Sequence, residues 1–421
     1  MKILHTVESY LPDRNGMQEV VRQLSERLAA KGHDVTVATS FHRGRAERTI
    51  GGVRVESFHI SGNMVNGYRG EKEEQDRYRA LLRDGVFDVV VNFAAQQWAT
   101  DLALPILGEI KAKKVFVPTG FSGLYLAAYR DYFSRMPEWM RRYDVNVFLS
   151  ETYRDARFAE EHGVGHRTVI PNGAAEEEFL VLRADDIREE IGVGERDLFV
   201  LLVGSHTGKK GHEEAIRMFD EADISHATLV LTGGSFDRPS PQTFRERARI
   251  WSRSLYKSLR NECPFFCRRA ARSLNDSDRW RRTGKRLLIR DLPRDAVVRA
   301  FLAADIFLFP SRIECSPIVL FEAAASRTPF LSTDVGNATE IARWTGGGRI
   351  LPTRIDGNGL SHADIEGSTR MLEDLSRDEE ARRAMGEVGY ASWRESFTWA
   401  KITERYEAVY KGINFGNGDQ R

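Results

Sequence analysis

The chain is short of cysteine, of long apolar runs and of net charge, and each shortage excludes a class of protein. Three cysteines in 421 residues form no disulfide framework, which fits a reducing cytosol. No apolar run reaches the roughly 18 residues that cross a bilayer, so we expect no transmembrane helix. The segment Met1–Glu8 soon turns polar and is a poor signal peptide. The formal charge of +1 argues against a nucleic-acid-binding protein.

Several short motifs are also missing. The first loop, Pro12–Glu19, lacks the G-x-G-x-x-G of a dinucleotide-binding dehydrogenase, and Lys210 stands where a P-loop has Ser or Thr after its lysine. Cys263 and Cys267 could share a helix face. Two thiols without neighbouring histidines are weak evidence for a metal site, because structural zinc needs four ligands. We therefore expect no metal.

Strand and helix signals alternate along the chain and predict an α/β fold. The length favours two or three domains, and 41% hydrophobic with 29% charged residues is ordinary for a globular protein. Continuous β-branched runs are typical of parallel strands buried on both faces. The predicted strands are Ile3–Val7, Val35–Thr39, Val53–Ile60, Val89–Phe93, Val115–Pro118, Val145–Leu149, Thr168–Pro171, Leu198–Val203, Thr228–Thr232, Leu287–Ile289, Ile306–Phe309 and Phe330–Ser332.

Helical spacing appears between these strands, for example at Gln18–Lys31, Glu213–Ala222 and Ala296–Ala303. A polar, acidic stretch separates two successive strand–helix series. The pattern predicts two doubly wound, Rossmann-like domains that face each other across a cleft. We place them at residues 1–180 and 181–395, with a basic insertion at about 238–286 in the second.

The segment Glu314–Glu322 carries the most specific signal, because two carboxylates bracket a strand-to-helix turn. Ser316 is a favourable N-cap residue and Pro317 suits the first helical position. The amides of Ile318 and Val319 would then be open donors at the positive end of a helix, which favours an anion. An anion site between two acids fits a ligand with phosphates in the middle and hydroxyls at both ends, such as a nucleotide-sugar.

The two acids would hold opposite ends of that ligand. Glu322 lies inside the helix and can accept two hydrogen bonds from a ribose diol. Glu314 precedes the helix, where a sugar hydroxyl could reach it. The alternative is structural: Glu314 caps a turn and Glu322 pairs with an arginine.

A second loop, Gly204–Gly211, combines glycines with lysines after a buried strand, and this combination indicates phosphate contact. Gly204 and Ser205 open the loop and belong to the same predicted donor site. Lys210 is our first choice for the diphosphate because the Lys-Gly pair would open the next helix. Lys209 is the second choice. The alternative is that both lysines only solvate a tight turn.

The basic insertion breaks the alternating pattern. Residues 238–286 hold 15 Lys and Arg against 4 Asp and Glu, interleaved with aromatic side chains such as Trp280. Trp251, Leu255 and Leu259 have helical spacing, so an amphipathic basic helix is plausible. Such a helix binds an anionic membrane surface or an acidic partner. The alternative is a solvated insertion whose aromatic residues pack on their own domain.

Taken together, these segments resemble the retaining glycosyltransferases of the GT-B fold, specifically glycosyltransferase family four, the group 1 transferases. The most specific part is Glu314–Glu340, which is similar to the family's Glu-x7-Glu element and the strand, glycine and glutamate that follow. Val169–Gly173 resembles its interdomain Ile-Pro-Asn-Gly, and Lys31–Val35 the end of its first helix. The tail, residues 396–421, resembles the terminal helix that crosses back onto the first domain. The resemblance covers nearly the whole chain apart from the basic insertion.

The resemblance implies transfer of a hexose from a UDP- or GDP-linked donor to an acceptor hydroxyl, with retention of anomeric configuration. The second domain would bind the donor and the first the acceptor. Glu314 would contact the transferred sugar, Lys210 the diphosphate and Glu322 the ribose. No metal or cofactor is implied, because positive side chains and helix ends neutralise the leaving diphosphate.

The sequence departs from the family in three places. Ser205 stands where an arginine usually follows the glycine of the phosphate loop. A histidine often follows the strand at residues 115–117, whereas here Thr119, with Asn92 at a nearby strand end, is only a weak candidate for contact with the sugar. The glycine pair of the first loop is Asn15-Gly16, where Asn also tolerates left-handed geometry and Gly16 allows close backbone approach before a helix.

Other functions stay open. A non-catalytic GT-B protein that binds sugar-nucleotides would explain the missing arginine and histidine, and a sugar-nucleotide epimerase is a further alternative. For an active enzyme, the basic insertion favours a lipid-linked saccharide as acceptor in cell-surface polysaccharide assembly. We therefore expect a cytoplasmic protein that can associate with the inner face of the membrane and binds no nucleic acid.

Overall fold

The structure, a computed structural model, describes residues 1–13, 15–181, 183–234, 263 and 265–412. The chain divides into two compact units. The first contains Met1–Gly173, Cys315–Ile318 and the end of the chain from Ser396, and the second contains Ala174–Glu314 and Val319–Glu395. Both units are α/β, as predicted. The predicted domain boundary near residue 180 stays a prediction.

The first unit alternates strands and helices along residues 1–173. Its strands are β1 Lys2–Thr6, β2 Asp34–Ser40, β3 Thr49–Ile50, β4 Val53–Phe58, β5 Ser61–Asn63, β6 Gly67–Arg69, β7 Val89–Phe93, β8 Lys113–Val117, β9 Val145–Phe148 and β10 Arg167–Val169. Its helices there are α1 Gly16–Ala30, α2 Lys72–Asp84, α3 Trp98–Asp101, α4 Arg130–Arg141 and α5 Arg154–Glu161, with short 3₁₀ turns at Leu104–Ile106 and Ala127–Tyr129.

The sheet of this unit is doubly wound. Its order is β10-β9-β8-β7-β1-β2-β4-β3, and every neighbouring pair is parallel except β3 with β4. Ile3 in β1 pairs with Val35 on one side and Val89 on the other. The strand order therefore reverses at β1. All five residues of β7 are buried, which explains its unbroken apolar run.

The second unit repeats this arrangement. Its strands are β11 Leu198–Val203, β12 Ala227–Thr232, β13 Lys285–Arg290, β14 Ile306–Phe309, β15 Phe330–Ser332, β16 Gly348–Ile350, β17 Thr353–Ile355 and β18 Ser361–Ala363. Its described helices are α6 Glu176–Phe179, α7 Ile187–Ile191, α8 His212–Glu221, α9 Phe265–Asn275, α10 Asp278–Thr283, α11 Arg294–Ala303, α12 Ile318–Ala325, α13 Ala338–Thr345, α14 Ile365–Arg377 and α15 Glu379–Ser396.

Its main sheet is fully parallel, with the order β13-β12-β11-β14-β15-β16. The reversal lies between β11 and β14, since β11 leads to β12 on one side and β14 leads to β15 on the other. In open α/β sheets, ligands bind outside the carboxyl ends of the strands at such a reversal. The loops after β11 and β14 are therefore the places to look for a site.

The last helix, α16 Trp399–Lys411, packs within the first unit. The hydroxyl of Tyr410 lies 3.1 Å from Nε2 of the buried His5, and Lys113 donates to the carbonyl of Val409 at 2.6 Å. Glu407 forms an ion pair with Lys31 at 2.5 Å, and its Oε1 lies 3.1 Å from Nε2 of His33. Residues from both ends of the chain therefore complete this unit.

The basic insertion is described only in part. Trp251, Leu255 and Leu259, on which the predicted amphipathic helix rests, lie outside the described residues. The part from α9 onward supports the structural alternative, because Trp280 is fully buried against Phe219 and donates to Asp220 at 2.6 Å. Within the described ranges, no helix combines the length and the apolar character needed to cross a membrane.

Candidate functional site

The loop after β11 is shaped by glycine at its end. Gly211 precedes α8 with φ of 69°, and a Cβ atom there would overlap the carbonyl oxygen of Pro310. Only glycine combines left-handed geometry with so close an approach. Gly211 therefore brings the Gly204–Gly211 loop against the end of β14, and Lys210 does stand at the entry to a helix, as the sequence predicts.

Ser311 fastens this loop to the one after β14. Its hydroxyl lies 3.2 Å from the carbonyl of Lys209 and 2.8 Å from Oε1 of Glu314. The amide of Arg312 also donates to the carbonyl of Lys209 at 2.9 Å, and its guanidinium donates to Glu214 at 2.6 Å. Backbone and side-chain contacts together hold the two loops in one arrangement.

Lys210 and Glu314 form an ion pair across these loops. The two side chains expose 26% and 13% of their surface, so water screens the pair only partly. Sequence reasoning assigned them to different parts of one ligand and did not foresee their direct contact. The side chain of Lys209, in contrast, is exposed, while its backbone carbonyl accepts a hydrogen bond from the amide of Arg312.

The start of α12 differs from the prediction. The helix begins at Ile318, so Pro317 precedes it and Ser316 is not its N-cap. The Ser316 hydroxyl is buried and makes no hydrogen bond to any described residue, while the Ser316 carbonyl accepts from Asn172 at 2.9 Å. Ile318 and Val319 are the first two helical residues, so their amides do lie in the first turn, where intrahelical acceptors are missing.

Glu322 is 4% exposed and pairs with an arginine, which was the structural alternative. Arg294 contacts Oε1 of Glu322 at 2.6 Å and also donates to Glu178 at 2.6 Å. Burial alone would lower the pKa of Arg294, but the two carboxylates outweigh this effect and raise it. The arginine therefore stays charged and fixes the Glu322 carboxylate. A role in ribose binding stays a prediction.

The glycine pair Gly233-Gly234 lies beside the Gly204–Gly211 loop and was not singled out in the sequence analysis. Gly233 follows β12 with φ of 140°, and a Cβ atom there would overlap the backbone of Gly204. The amide of Gly204 donates to Thr232 at 2.8 Å, and the carbonyl of Ser205 accepts from Thr207 at 2.7 Å. Two adjacent glycines directly after a buried strand were the signal in the sequence.

The three residues of the first unit that were predicted to contact the sugar or the acceptor differ in their surroundings. Asn92 is fully buried, donates to Thr6 at 2.7 Å and accepts from Tyr143 at 2.8 Å, so its amide is engaged inside the protein. Thr119 is half-buried with φ of 59°, and the next two residues also have positive φ. Such geometry is common at functional sites. Around Gly16 there is open space where a side chain would lie.

Asn15 corrects a further expectation. Its φ of −155° is extended and not left-handed, because Asn15 is the N-cap of α1. Its side-chain oxygen accepts from the amide of Gln18 at 2.9 Å. An N-cap residue needs backbone angles outside the helical region, which explains the difference.

One cluster next to the Gly204–Gly211 loop contradicts the premise that the thiols lack neighbouring histidines. His206 and His212 stack with ring centroids 4.2 Å apart, and Nδ1 of His206 lies 3.1 Å from Sγ of Cys263. Cys267 follows, with its sulfur 3.4 Å from that of Cys263. The only signals in the sequence were two short-spaced pairs that lie far apart in the chain.

Comparison with models of known protein families identifies the family to which the chain belongs. Residues 14–178 match the model described as Glycosyltransferase Family 4, and residues 285–392 match the one described as Glycosyl transferases group 1. The two matches together span about two thirds of the chain. The chain belongs to the group 1 glycosyltransferases of family four. The second match includes Glu314 and Glu322 but not the loop that carries Lys210.

The D-inositol 3-phosphate glycosyltransferase of Corynebacterium diphtheriae is 34% identical over 119 residues, which is 28% of this chain and 25% of that protein. The chain thus aligns with only a quarter to about a third of the length of the curated relatives it matches.

Solved structures agree over nearly the whole length. Sucrose-phosphate synthase from Thermosynechococcus elongatus superposes with a TM-score of 0.70 at 16% identity, covering 98% of this chain and 99% of that one. Anabaena Alr3699/HepE in complex with UDP-glucose gives 0.65 at 13% identity, covering 98% and 100%. At these identities the likeness concerns the fold. It confirms the predicted GT-B type of α/β fold with two Rossmann-like domains.

Proposed function

We propose that this chain is a retaining, metal-independent glycosyltransferase that moves a hexose from a UDP- or GDP-linked donor to an acceptor hydroxyl. The observation that carries the proposal is the Lys210–Glu314 ion pair. It joins the two loops at the strand-order reversal of the second sheet, where doubly wound folds bind their ligands. The resemblance to group 1 transferases implies a cation for the diphosphate and an acid for the sugar in this same region.

Three kinds of group are the proposed hydrogen-bond and charge donors to the diphosphate. Lys210 supplies a positive charge, and the first-turn amides of Ile318 and Val319 point a helix N-terminus at the anion. The buried Ser316 hydroxyl, which has no protein partner among the described residues, supplies a further hydrogen bond. These donors replace a metal ion in stabilising the charge that develops on the leaving diphosphate.

The two acids hold the ends of the donor. Arg294 orients the Glu322 carboxylate, which leaves it suited to a ribose diol. Glu314 contacts a hydroxyl of the transferred sugar. The glycosidic bond to the diphosphate breaks and the acceptor oxygen attacks on the same face. A diphosphate oxygen takes the acceptor proton, so configuration is retained without an enzymatic nucleophile.

On the acceptor side, Thr119 and Gly16 are the candidates we retain. The turn at Thr119 keeps positive φ at three successive residues, and Gly16 opens α1 where space is available. Asn92 is the weakest candidate because its amide already serves Thr6 and Tyr143.

The test compares four variants of the full chain with UDP-glucose first, since the Anabaena structure with the same fold contains that donor. A charge-assisted contact is worth about 1.5–3 kcal/mol, so Lys210→Ala and Glu322→Ala should weaken UDP binding about 10- to 100-fold. Glu314→Ala should lower turnover about 100-fold without weakening UDP binding, because it releases Lys210 from its ion pair. Lys209→Ala is the matched control. Wild-type transfer by the first three variants would refute the assignment.

A non-catalytic sugar-nucleotide-binding protein is the second candidate, and Ser205 in place of the usual arginine favours it. Incubation with UDP- and GDP-sugars, with and without lipid acceptors, separates the two functions. Binding without hydrolysis or transfer would indicate the non-catalytic protein. Conversion of the donor sugar without any acceptor would indicate the epimerase instead.

The acceptor we propose is a lipid-linked saccharide in cell-surface polysaccharide assembly, at the inner face of the membrane. The support is the basic composition of residues 238–286. Trp280 does not contribute, because it belongs to the core. Co-sedimentation with vesicles should increase with anionic lipid and decrease with salt. Replacing Arg245, Arg249 and Arg253 by Glu should abolish it, while the same change at Arg281 should not.

A further inference from the structure

Four metal-binding side chains meet beside the loop that carries Lys210. Ligand atoms of His206, His212 and Cys263 all lie within 4.8 Å of one another. The sulfur of Cys267 lies 3.4 Å from that of Cys263. Both histidines and Cys267 are buried, and Cys263 is half-buried. His206 lies in the loop after β11 and His212 opens α8, whereas Cys263 precedes α9 and Cys267 lies on it.

The distances suit one small tetrahedral ion. Zinc bonds of about 2.3 Å to sulfur and about 2.0–2.1 Å to nitrogen put neighbouring ligand atoms about 3.3–3.8 Å apart. The Sγ–Sγ distance is 3.4 Å, and Nδ1 of His206 lies 3.1 Å from Sγ of Cys263. The ligand atoms of His206, His212 and Cys263 are mutually close, and the Cys267 sulfur joins this set through its neighbour Cys263. A disulfide would need the two sulfurs at about 2.05 Å.

His212 gives an independent sign of a missing partner. Neither buried ring nitrogen makes a hydrogen bond of ordinary geometry to a described residue, although the ring lies near the backbone of Gly204. Burial of an unsatisfied polar group is costly, and in native proteins an ordered water, a ligand or an ion usually satisfies it.

The charge balance also favours zinc. Two thiolates and two neutral imidazoles around a divalent cation make a neutral group, which can be buried at little electrostatic cost. Two sulfur and two nitrogen ligands in tetrahedral geometry are typical of structural zinc.

We propose that His206, His212, Cys263 and Cys267 bind one zinc ion as a structural site. The ion would fasten the Gly204–Gly211 loop and the first residue of α8 to the start of α9. Lys210 lies between the two histidine ligands in the chain, so the site would hold the lysine in position without touching the donor. All four positions are filled by protein, which leaves no coordination site for substrate. The proposal does not depend on sugar transfer.

Metal analysis of the full chain tests it directly. Protein purified without a histidine tag should contain one zinc per chain. Replacement by Co²⁺ should give the visible absorption of a tetrahedral site and a near-ultraviolet thiolate-to-metal band. Cys263→Ser and Cys267→Ser should each lose the metal or bind it at least tenfold more weakly. Cys315→Ser and His166→Gln, which lie outside the cluster, should keep full stoichiometry.

A measurement on the wild type guards against variants that fail to fold. Iodoacetamide should modify the half-buried Cys263 only after a chelator is added, with Cys315 as internal reference. Absence of stoichiometric metal after growth and reconstitution in zinc would overturn the proposal. So would full metal content in both cysteine variants, or a Cys263–Cys267 disulfide found by mass spectrometry in protein purified under reducing conditions.

Discussion

Asn15 and Ser316 both precede a helix, but only Asn15 caps one. The Asn15 side chain accepts from Gln18, whereas the Ser316 hydroxyl is buried without a partner among the described residues. The same type of sequence signal therefore has two physical meanings. A polar side chain that does not satisfy its own helix is available to a ligand.

Substitution at these two residues should separate capping from binding. Ser316→Ala should leave the free energy of unfolding unchanged or slightly higher, because it removes an unsatisfied buried hydroxyl. It should weaken UDP binding about 2- to 10-fold, the effect of one hydrogen bond. Asn15→Ala should cost about 1 kcal/mol of stability as the loss of a cap. Urea unfolding and calorimetric titration measure both quantities. A destabilised Ser316→Ala with normal UDP affinity would contradict the assignment.

His5 makes the first unit sensitive to acid. It is fully buried between Ser25 and Tyr410, and burial lowers its pKa to about 3 from about 6.5. A depressed pKa contributes stability above pH 6.5 that is lost as pH falls towards 3, about 2 kcal/mol of it by pH 5. Asp101 and Asp155 act oppositely, because burial raises their pKa values to about 6.

Comparing the free energy of unfolding of wild type and His5→Gln at several pH values should reveal the contribution of His5. Because the two aspartates are unchanged in the variant, the difference in unfolding free energy between wild type and His5→Gln isolates the histidine. That difference should shrink by about 2 kcal/mol between pH 7 and pH 5. His166→Gln, at an exposed position, is the control and should give no such change. A constant difference for His5→Gln across this range would show that His5 is not buried neutral.

At the scale of elements, the position of the Gly204–Gly211 loop depends more on Gly211 than on Gly208. Gly208 and Gly211 have φ of 81° and 69°, but only at Gly211 would a Cβ atom overlap a backbone oxygen, that of Pro310. Around Gly208 there is open space. The two positions therefore differ in steric contact and hardly in backbone conformation.

Alanine at each position should make this difference measurable. Gly208→Ala should cost about 1 kcal/mol, the cost of left-handed geometry for a residue with a side chain. Gly211→Ala should cost at least about 2 kcal/mol more, because the loop must move away from β14. That movement should also separate Lys210 from Glu314 and weaken UDP binding. Equal destabilisation of the two variants in urea would show that the loop is not held against Pro310.

Most strands of the two main sheets could be predicted because they are buried on both faces. Val89–Phe93 and Ile306–Phe309 have the predicted bounds, since uninterrupted apolar runs define them. The hairpin Ser61–Arg69 gave no such signal, because its short strands are polar and rich in glycine. The histidine–cysteine cluster was missed for another reason. Its two pairs are local in sequence, but only the packing of α9 beside α8 joins them.

The proposed donor site shows the same limit of sequence-based prediction. Glu314, Glu322 and the lysine loop were selected as candidates because each follows or opens a predictable element. The pairing of Lys210 with Glu314 was not predicted, and an arginine partner for Glu322 was only the structural alternative, without Arg294 being identified. Both pairs join residues distant in sequence. Ser316 was assigned to the wrong position of the turn, because the helix begins two residues later.

At the scale of the whole molecule, both ends of the chain build the first unit. Helix α16 contributes side chains that are at most 4% exposed, namely Trp399, Ile402, Tyr406, Val409 and Tyr410. Each such burial is worth about 1.5–3 kcal/mol, so together they approach the roughly 5–15 kcal/mol that stabilises a whole domain. The first 173 residues alone should therefore not fold stably.

Joining residues 1–173 to residues 396–412 through a short linker should restore folding of the first unit without the second. A Cβ atom on Gly173 would overlap the carbonyl of Phe397, so the chain leaves and re-enters this unit at adjacent points. A few flexible residues between 173 and 396 should then suffice. We expect residues 1–173 to show no cooperative melting by circular dichroism, and the fusion to residues 396–412 to melt cooperatively. The fusion with Ile402→Asp is the matched control and should fail. If 1–173 alone melted as sharply and at the same temperature as the fusion, α16 would be an accessory to this unit and not part of its core.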